Sequence, residues 1–437
     1  MATESCIIRV CSNLLVDRVK GAATSVADIG VIIGVSLWLP SEYALSVIMS
    51  NLPKSQSRVL NIAFVNWWTF NTVMGGIEAV GARVASALTA RGHHVCLAAV
   101  EEGYPSVEGF ENLLLPDKQR IRSRANFNAL VEYFGAHGVE VIVCHNAYRR
   151  RLALLLAEVA DRLGARLVFE IHTDPTMYKF KRRTPPFLHR AEYLFRRHKA
   201  LRQWRLISRL GDAIVLLSPS YVPIFRDLVG AASEGKLISI SNPNTYDPTD
   251  IPAHLSKEKM LLYVGRFDYG QKRTDRLIDV WGMIQDRFPD WSLYIVGGGN
   301  ERVERDLRRR AETLHLERIH FEGVRSPQPY LSRAGILVSS SSYEGLPLVI
   351  LEALQYGVVP IAFDSYAALS DVTDGGRLGV MVPPFDLRAY ADSLSQLMED
   401  DAGREEMSRA GREWSHRYDM DEIADEWERF LTQILSE

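Results

Sequence analysis

Cysteine is scarce in this chain, and no cysteines have the spacing of a metal site. The four that are present (Cys6, Cys11, Cys96 and Cys144) show no C-x-x-C pairing, so we expect reduced thiols in a cytoplasmic protein. A large excess of one charge is also lacking: the formal net charge is −3, which argues against a general nucleic-acid-binding protein. The 47% hydrophobic and 24% charged residues that are present are typical of a globular enzyme.

Long uninterrupted apolar runs are missing as well. The apolar segment 26–49 is interrupted by Asp28, Pro40 and Glu42. A membrane-spanning helix needs about 20 mostly apolar residues, so these interruptions argue against one. No small-residue cleavage site follows a short apolar core, which disfavours a signal peptide. The amino-terminal extension is left without a role, and both a membrane-surface helix and an upstream extension before a start at Met49 stay open.

The 437 residues are too many for one ordinary core. Short β-branched runs such as VLNIAFV, VEVIVCH and MLLYVGR are each followed by a helical segment. This alternation predicts an α/β protein with two Rossmann-like, doubly wound parallel-sheet domains facing a cleft, where such sheets bind ligands. The predicted boundaries are an extension at 1–57, a first domain at 58–242, a Pro- and Asn-rich linker at 243–258, a second domain at 259–418 and a terminal helix at 419–437.

Two cations follow the first strand of the second domain in VGRFDYGQKRTDRLI. Arg266 follows the strand directly, and Lys272 lies in the loop before the next helix. A pyrophosphate needs cations and backbone N–H donors, which a strand-to-helix turn supplies. We therefore favour a phosphate site over two solvated charges. Gly297 opens a triple glycine after the next strand; because the full dinucleotide spacing is missing, a tight turn is as well supported as close approach to a nucleotide.

Two acids interrupt an apolar run in SYEGLPLVILEAL, residues 342–354. An ionised glutamate is almost never fully buried without a partner. Glu344 precedes Pro347, which fits the first turn of a helix, and Glu352 lies within that helix. The free N–H groups of the turn would face the cleft, and the two carboxylates could accept hydrogen bonds from sugar or ribose hydroxyls. The alternatives are a helix-dipole partner at Glu344 and a solvated helix face at Glu352.

Three stretches, GRFDYGQKRTDRLI, YIVGGGNERVERDL and SSSSYEGLPLVILEALQYGVVPIAF, occur in this order with appropriate spacing. Together they resemble the donor-binding domain of the family-4 retaining glycosyltransferases, which have the two-domain GT-B fold. The resemblance covers residues 59–435 and departs from the family at Lys272-Arg273, where glycine usually follows the lysine. It implies that the second domain binds a nucleotide-sugar donor and that the first lies on the acceptor side.

The resemblance also implies roles for individual residues. In the second domain, Arg266 and Lys272 would bind the nucleotide diphosphate, and Gly297 would contact the donor. Glu344 would be a catalytic residue at the donor sugar, which Gly345, Leu346 and Pro347 would also contact. Glu352 would bind the ribose hydroxyls. Transfer would retain the anomeric configuration, through same-face attack assisted by the leaving phosphate. No cofactor is implied.

The first domain offers further candidates. Gly75 and Gly76 lie between its first strand and helix, where glycine lets backbone approach a ligand without a Cβ clash. Taken alone, they fit an ordinary helix-start loop. His172 ends the strand in FEIHTDP and matches a histidine that the family keeps near the transferred sugar, which implies a catalytic role rather than that of a core histidine. His145 in VIVCHN is similarly placed but less specific.

An Asp-x-Asp motif, which metal-dependent sugar transferases use, occurs at Asp419 and Asp421. It opens the last amphipathic helix, so an N-cap explains it, and we expect no metal ligand here. Positive charge at Arg266 and Lys272, together with helix amides, can stabilise a leaving diphosphate without a metal.

A basic segment at 178–210 contains a single acid, Glu192. Aromatic and apolar residues interleave with its cations, as in a helix that lies in the headgroup region of an anionic membrane. A solvated basic face on a packed helix is an equal alternative, and no nucleic-acid recognition module accompanies the segment. The predicted membrane-surface residues are Arg196, Arg197, Lys199 and Arg202.

These features predict a metal-independent retaining glycosyltransferase that moves a hexosyl-type residue from a nucleotide-diphosphate sugar to a glycan or lipid-linked acceptor. Surface polysaccharide or lipopolysaccharide assembly is the expected pathway, in the cytoplasm or at the inner face of the cell membrane. A nucleotide-sugar 2-epimerase of the same fold is one alternative, although it would need acid/base carboxylates at the hinge. A non-catalytic sugar-nucleotide-binding protein is the other, because fold does not prove chemistry.

Overall fold

The computed structural model describes most of the chain beyond the amino-terminal extension. The described residues are 58–71, 76–103, 107, 109–110, 112–180 and 188–436. The extension at 1–57, Gly75 and the basic stretch 181–187 lie outside them. Residues Val59–Glu437 form one compact unit, and this unit contains two parallel sheets, each the centre of a lobe.

The first lobe is built on a seven-stranded parallel sheet with strand order β3-β2-β1-β4-β5-β6-β7. Its strands are Asn61–Trp68 (β1), His94–Glu101 (β2), Asn112–Leu114 (β3), Val141–Cys144 (β4), Arg166–Ile171 (β5), Ala213–Leu216 (β6) and Leu237–Ser239 (β7). Its helices are Ile77–Ala90 (α1), Arg124–Ala136 (α2), Arg150–Leu163 (α3), His189–Leu210 (α4) and Tyr221–Val229 (α5). Ala63 and Val65 enter one hydrophobic cluster while Ile62 and Phe64 enter another, so both faces of the sheet are covered, as continuous apolar strands require.

The second lobe is built on a six-stranded parallel sheet with strand order β10-β9-β8-β11-β12-β13. Its strands are Glu258–Val264 (β8), Ser292–Val296 (β9), Ile319–Gly323 (β10), Ala334–Ser339 (β11), Val359–Phe363 (β12) and Val380–Val382 (β13). The helices from here to the end of the chain are Thr274–Ile284 (α6), Glu301–Thr313 (α7), Gln328–Leu331 (α8), Leu348–Gln355 (α9), Ala368–Val372 (α10), Leu387–Glu399 (α11), Asp401–Ser415 (α12) and Met420–Ser436 (α13).

The two sheets face each other across a cleft. Strand order changes direction between β1 and β4 in the first sheet and between β8 and β11 in the second, and doubly wound sheets bind ligands at such switch points. The lobes are in contact, because the Tyr221 hydroxyl on α5 donates a 2.6 Å hydrogen bond to the carbonyl oxygen of Glu344. The predicted fold of two Rossmann-like domains facing a cleft is confirmed.

The last helix, α13, leaves the second lobe and packs against α1 of the first. Its apolar residues recur at the spacing of one helix face, and Ile423, Trp427 and Leu431 are buried in the cluster that covers β1. An amphipathic stripe predicts a buried face but not which lobe buries it. The chain therefore crosses between the lobes a second time, and the contact of α13 with α1 holds the lobes together.

We expect Trp427→Ala to lower the free energy of unfolding by about 3–5 kcal/mol, because it leaves a cavity between α13 and the first lobe. Trp427 is only 2% exposed, and its ring lies 6.2 Å from that of Phe64 and 6.0 Å from that of Phe430. Urea unfolding followed by circular dichroism measures the change. Glu422→Ala, at an exposed position of the same helix, is the control and should change stability by less than about 0.5 kcal/mol. Equal stability of both variants would contradict the packing of α13 on the first lobe.

Candidate active site

The loop after β8 contains the two predicted phosphate-binding cations. Asp268 shapes this loop, because its Oδ1 accepts hydrogen bonds from the backbone N–H groups of Gly270 at 2.8 Å and Lys272 at 3.3 Å. Arg266 is exposed, and its Nη2 donates to Oε1 of Gln271 at 3.4 Å. The side chain of Lys272 is largely buried, at 18% exposure. The loop thus presents a guanidinium and an ammonium at the carboxyl end of the strand.

Glu344 is buried, and both of its carboxylate oxygens have partners. Nζ of Lys272 lies 2.8 Å from Oε1, and Nε2 of Gln271 donates to Oε2 at 2.9 Å. The partner of this acid is therefore a cation from the neighbouring loop rather than the helix dipole. Gln271 is not among the residues predicted from the sequence, although its place directly before Lys272 in a strand-end loop is a usable signal.

The turn after Glu344 presses against the first lobe. A Cβ atom at Gly345 would lie 2.3 Å from the carbonyl oxygen of His172 and 2.9 Å from the backbone nitrogen of Thr173, so glycine is required for this approach. Leu346 is buried in the hydrophobic core. Pro347 precedes α9 as its N-cap residue, whereas the sequence placed it in the first turn. Because proline has no N–H group, Pro347 cannot supply an amide donor, and its contact with the donor sugar stays a prediction.

Glu352 faces the segment that joins the lobes. Burial raises the pKa of its carboxyl, against the opposing effects of a hydrogen bond from the Thr245 side chain and the charges of Arg83 and Lys272. Arg83, on α1, also donates from Nη1 to the carbonyl oxygen of Thr245 at 2.6 Å. The carboxyl of Glu352 is therefore shielded from solvent and has cationic neighbours from both lobes, so the solvated-face alternative does not apply. Nothing in the local sequence marked Arg83.

The triple glycine after β9 is explained by packing between loops. Gly297 has φ +140°, and a Cβ there would lie 2.0 Å from the carbonyl oxygen of Gly265. A Cβ at Gly299 would lie 2.7 Å from the carbonyl oxygen of Phe267. These glycines let the loop after β9 lie against the loop that holds Arg266. Contact of Gly297 with a donor stays a prediction.

The glycine loop of the first lobe is described only in part. Gly76 is the N-cap residue of α1 with φ +106°, a conformation that favours glycine. It is exposed. Gly75 lies outside the described residues, so the structure places one of the two predicted glycines at the entrance of α1.

Two histidines and a glutamate meet at the carboxyl ends of β4 and β5. Nδ1 of His145 lies 2.8 Å from Oε2 of Glu170, Nε2 of His172 lies 3.2 Å from the same oxygen, and the two nitrogens are 3.0 Å apart. The three side chains are at most 4% exposed. Both histidines are among the residues predicted from the sequence, whereas Glu170 is not. Residues two apart share one face of a strand, which places Glu170 beside His172.

Charges within this cluster are strongly coupled. Burial opposes ionisation of Glu170, but the imidazoles of His172 and His145 outweigh it and hold the pKa of the carboxyl well below its usual range. Burial lowers the pKa of His145, although Glu170 opposes this shift. The rings of Phe64 and Phe70 meet that of His145 edge to face, with centroids 5.0 and 5.4 Å away. The imidazole is therefore held in one orientation by packing.

A cavity of about 560 Å³ opens beside Arg266. Both lobes line it: Phe180 of the first lobe stacks on Tyr343 of the second, with ring centroids 5.8 Å apart. Its cationic lining residues are Lys179, Arg266, Arg273 and Arg276. A larger cavity of about 670 Å³ lies around Tyr356 and α12 and includes none of the predicted site residues. The smaller cavity is the one that suits an anionic ligand next to the Lys272–Glu344 pair.

The predicted membrane-surface residues lie on α4. Arg197, Lys199 and Arg202 are exposed, whereas Arg196 is paired with Glu192, with its Nε donating to Oε1 at 2.8 Å. Phe195, 70% exposed, and Leu194, 53% exposed, lie on the same helix. The helix thus combines cations with unpacked apolar side chains. Among the described residues, no helix has both the length and the apolar character needed to cross a bilayer.

The Asp-x-Asp acids point to different partners. Oδ1 of Asp419 accepts a 2.8 Å hydrogen bond from Nδ2 of Asn244, and its Oδ2 lies 2.8 Å from Nδ1 of His416. Asp421 pairs instead with Arg91 at 3.1 Å. The two carboxylates therefore hold α13 to its surroundings and do not converge on a common ligand.

Comparison with known proteins identifies the family to which the chain belongs. Residues 74–243 match the profile of "Glycosyltransferase Family 4", and residues 249–414 match that of "Glycosyl transferases group 1". The chain belongs to the family-4 glycosyltransferases with the GT-B fold.

Two curated relatives resemble part of the chain. An uncharacterized glycosyltransferase of Haemophilus influenzae is 29% identical over 52% of this chain and 65% of its own length. The amylovoran biosynthesis glycosyltransferase of Erwinia amylovora is 30% identical over 40% of this chain and 48% of its own length. The chain thus spans roughly half to two thirds of these relatives.

A solved structure extends the comparison to both lobes. The structure of HepE from Anabaena in complex with UDP and glucose has a TM-score of 0.67, covers 85% of this chain and 99% of its own, and is 15% identical. At this identity the likeness concerns the fold alone.

Proposed function

We propose that the protein is a retaining glycosyltransferase that moves a hexosyl-type residue from a nucleotide-diphosphate sugar to a glycan or lipid-linked acceptor. The observation on which this depends is the Lys272–Glu344 pair at the cleft, with Arg266 beside it and the Gly345 turn against His172. The Erwinia relative, named for amylovoran biosynthesis, supports a role in assembling a surface polysaccharide or lipopolysaccharide.

The leaving group determines what catalysis requires. Breaking the anomeric C–O bond leaves positive charge on the sugar and negative charge on the departing diphosphate. Arg266 and Lys272 are placed to stabilise the diphosphate, and fixed charges in a site that excludes water do so more effectively than solvent. Glu344 holds the ammonium of Lys272 in place before the donor binds. In this proposal the cations replace a divalent metal at the diphosphate, and His172 and Glu344 contact the sugar.

The remaining candidates complete the donor site. Glu352, with its raised pKa, accepts hydrogen bonds from the ribose hydroxyls, and Arg83 keeps positive charge near it. Retention follows from same-face attack, with the leaving phosphate taking the proton of the acceptor hydroxyl.

The decisive experiment is a donor screen. Purified full-length protein is incubated with UDP-, GDP- and ADP-sugars, and release of nucleoside diphosphate is followed with and without lipid-linked acceptors. A glycosyltransferase hydrolyses its donor slowly and is accelerated by an acceptor. An epimerase would change the sugar without acceleration by any acceptor, and a binding protein would show a thermal shift with no turnover; either result would replace the proposal.

We also propose that α4 places the protein on an anionic membrane surface, facing a lipid-linked acceptor. Replacement of Arg197, Lys199 and Arg202 by Ser in one variant should weaken binding to phosphatidylglycerol vesicles by about 100-fold, because each cation near the surface contributes about 1 kcal/mol. Vesicle sedimentation at several salt concentrations measures this, since the effect should shrink as salt rises. Changing the exposed Arg302, Arg305 and Arg309 of α7 to Ser is the matched control. Vesicle binding that both triple variants retain equally would contradict the assignment.

A further inference from the structure

The cluster at the ends of β4 and β5 has a geometry that hydrogen bonding explains poorly. Oε2 of Glu170 is within 3.2 Å of both imidazole nitrogens, yet it accepts no well-aligned hydrogen bond from the described residues. If both nitrogens carried protons, two N–H groups would crowd together, because the nitrogens are 3.0 Å apart. If only one did, its proton could be donated either to the other nitrogen or to Oε2 of Glu170. The acceptor left over would then keep a buried lone pair without a donor, which costs free energy. The three atoms surround one point, each within 3.2 Å of the other two.

That point suits a small divalent cation. The three ligand atoms form a triangle with sides of 2.8, 3.0 and 3.2 Å. In a tetrahedral zinc site with bonds of about 2.0–2.1 Å, ligand atoms lie about 3.3 Å apart, so the cluster needs to open by only a few tenths of an ångström. Two histidines with one glutamate are also a ligand set that zinc uses with its fourth position open. Among the described residues, this is the one cluster of three such groups.

The orientation of the His145 ring also favours a cation. Metal binding needs neutral imidazoles and an ionised carboxylate. Glu170 is buried between the two histidines, and the aromatic rings of Phe64 and Phe70 hold the imidazole of His145 in position. Nε2 of His145, the ring nitrogen opposite the cluster, has no hydrogen-bond partner among the described residues. A ring with its proton on Nε2 would present the lone pair of Nδ1 to the cation.

We propose that His145, Glu170 and His172 form a binding site for a divalent transition metal of the Zn²⁺ type, and that its occupation inhibits sugar transfer. Inhibition rests on the proposed function, because a metal bound to Nε2 of His172 removes the group that would face the transferred sugar. The carbonyl oxygen of the same residue lies against the Gly345 turn, so the metal would lie at the contact between the lobes. The metal is separate from the diphosphate, which Arg266 and Lys272 hold.

Metal binding can be tested without any donor. Full-length protein, freed of metal with a chelator and dialysed, is titrated with Zn²⁺ in a calorimeter and with Co²⁺ while its visible absorption is recorded. We expect one metal per chain, the intense visible absorption of tetrahedral Co²⁺, and a rise in Tm with Zn²⁺. Glu170→Gln and His145→Asn should each weaken Zn²⁺ binding by about 10-fold or more. His137→Ala, which removes an exposed imidazole on the first lobe, should leave it unchanged.

Each outcome supports or overturns a defined part of the proposal. Absence of stoichiometric binding, or binding that all three variants retain, would overturn the metal site and indicate that the cluster only shares protons. If Glu170→Gln fails to fold, His145→Asn and the Co²⁺ spectrum of the unchanged protein still decide. Zn²⁺ that binds but leaves turnover unchanged would overturn the inhibition alone. A protein that binds Zn²⁺ but transfers no sugar from any donor would contradict the proposed function and leave the metal site standing.

Discussion

Lys272→Met is expected to lower kcat for sugar transfer by about 100- to 1,000-fold, the loss seen when one preorganised group that stabilises developing negative charge is removed. The ammonium lies 2.8 Å from Glu344, at the strand end where the diphosphate would leave. Steady-state release of nucleoside diphosphate measures the loss. Lys259→Met is the matched control, because that lysine is at the opposite end of β8 and pairs with Asp290 on the surface.

The same substitution should also destabilise the protein, and this needs to be separated from catalysis. Removing one partner of a buried pair leaves the other charge uncompensated, at a cost of about 3 kcal/mol. Adding Glu344→Gln removes that charge, so the double variant should recover stability but not activity. Turnover within about threefold of the parent for Lys272→Met would contradict the role of this cation. Recovery of activity in the double variant would show that Lys272 acts through stability alone.

Gly345→Ala is expected to reduce kcat/KM by about 100-fold while leaving each lobe folded, because a displacement near 1 Å at a reacting centre can have that effect. The new Cβ would lie 2.3 Å from the carbonyl oxygen of His172. That oxygen belongs to backbone, so it cannot move aside as a flexible side chain would. The lobes must then separate, and His172 would be drawn away from Glu344.

The control for this prediction is Gly135→Ala near the end of α2, where a Cβ would make an ordinary contact of 3.7 Å with Leu163. That change should leave activity intact and stability equal or higher, because alanine favours helix. Circular dichroism and thermal unfolding confirm folding of both variants. Full activity of Gly345→Ala would show that the contact between this turn and His172 is absent from the working conformation.

The positions of site residues that lie in a strand-end loop or near a helix start could be predicted from the sequence. Arg266, Lys272, Glu344 and Glu352 follow strands or flank a helix start, and parallel strands bring such positions to one edge of a sheet. The same reasoning could not show that Lys272 pairs with Glu344 rather than standing free for a phosphate. It also could not show that Gly297 is needed for contact with Gly265, because both a nucleotide and a neighbouring loop require glycine.

Residues that act through distant neighbours were harder to find. Glu170 lies within an apolar strand, where a single acid gives little signal, and its partner His145 directly follows another strand. Arg83 resembles any exposed helix cation until the fold brings it to Thr245. The stripe of α13 predicted burial, but its packing against α1 depends on the path of the whole chain.

The two parallel-sheet lobes and the order of the strand-end motifs can be deduced from the sequence alone, because hydrophobic periodicity and glycine placement act over a few neighbouring residues. Which side chains meet is visible only in the folded chain. His145 and His172 are 27 residues apart, and Lys272 and Glu344 are 72 apart. Contacts at such separations are set by strand order and by the packing of one lobe on the other, and neither can be deduced from a local sequence pattern.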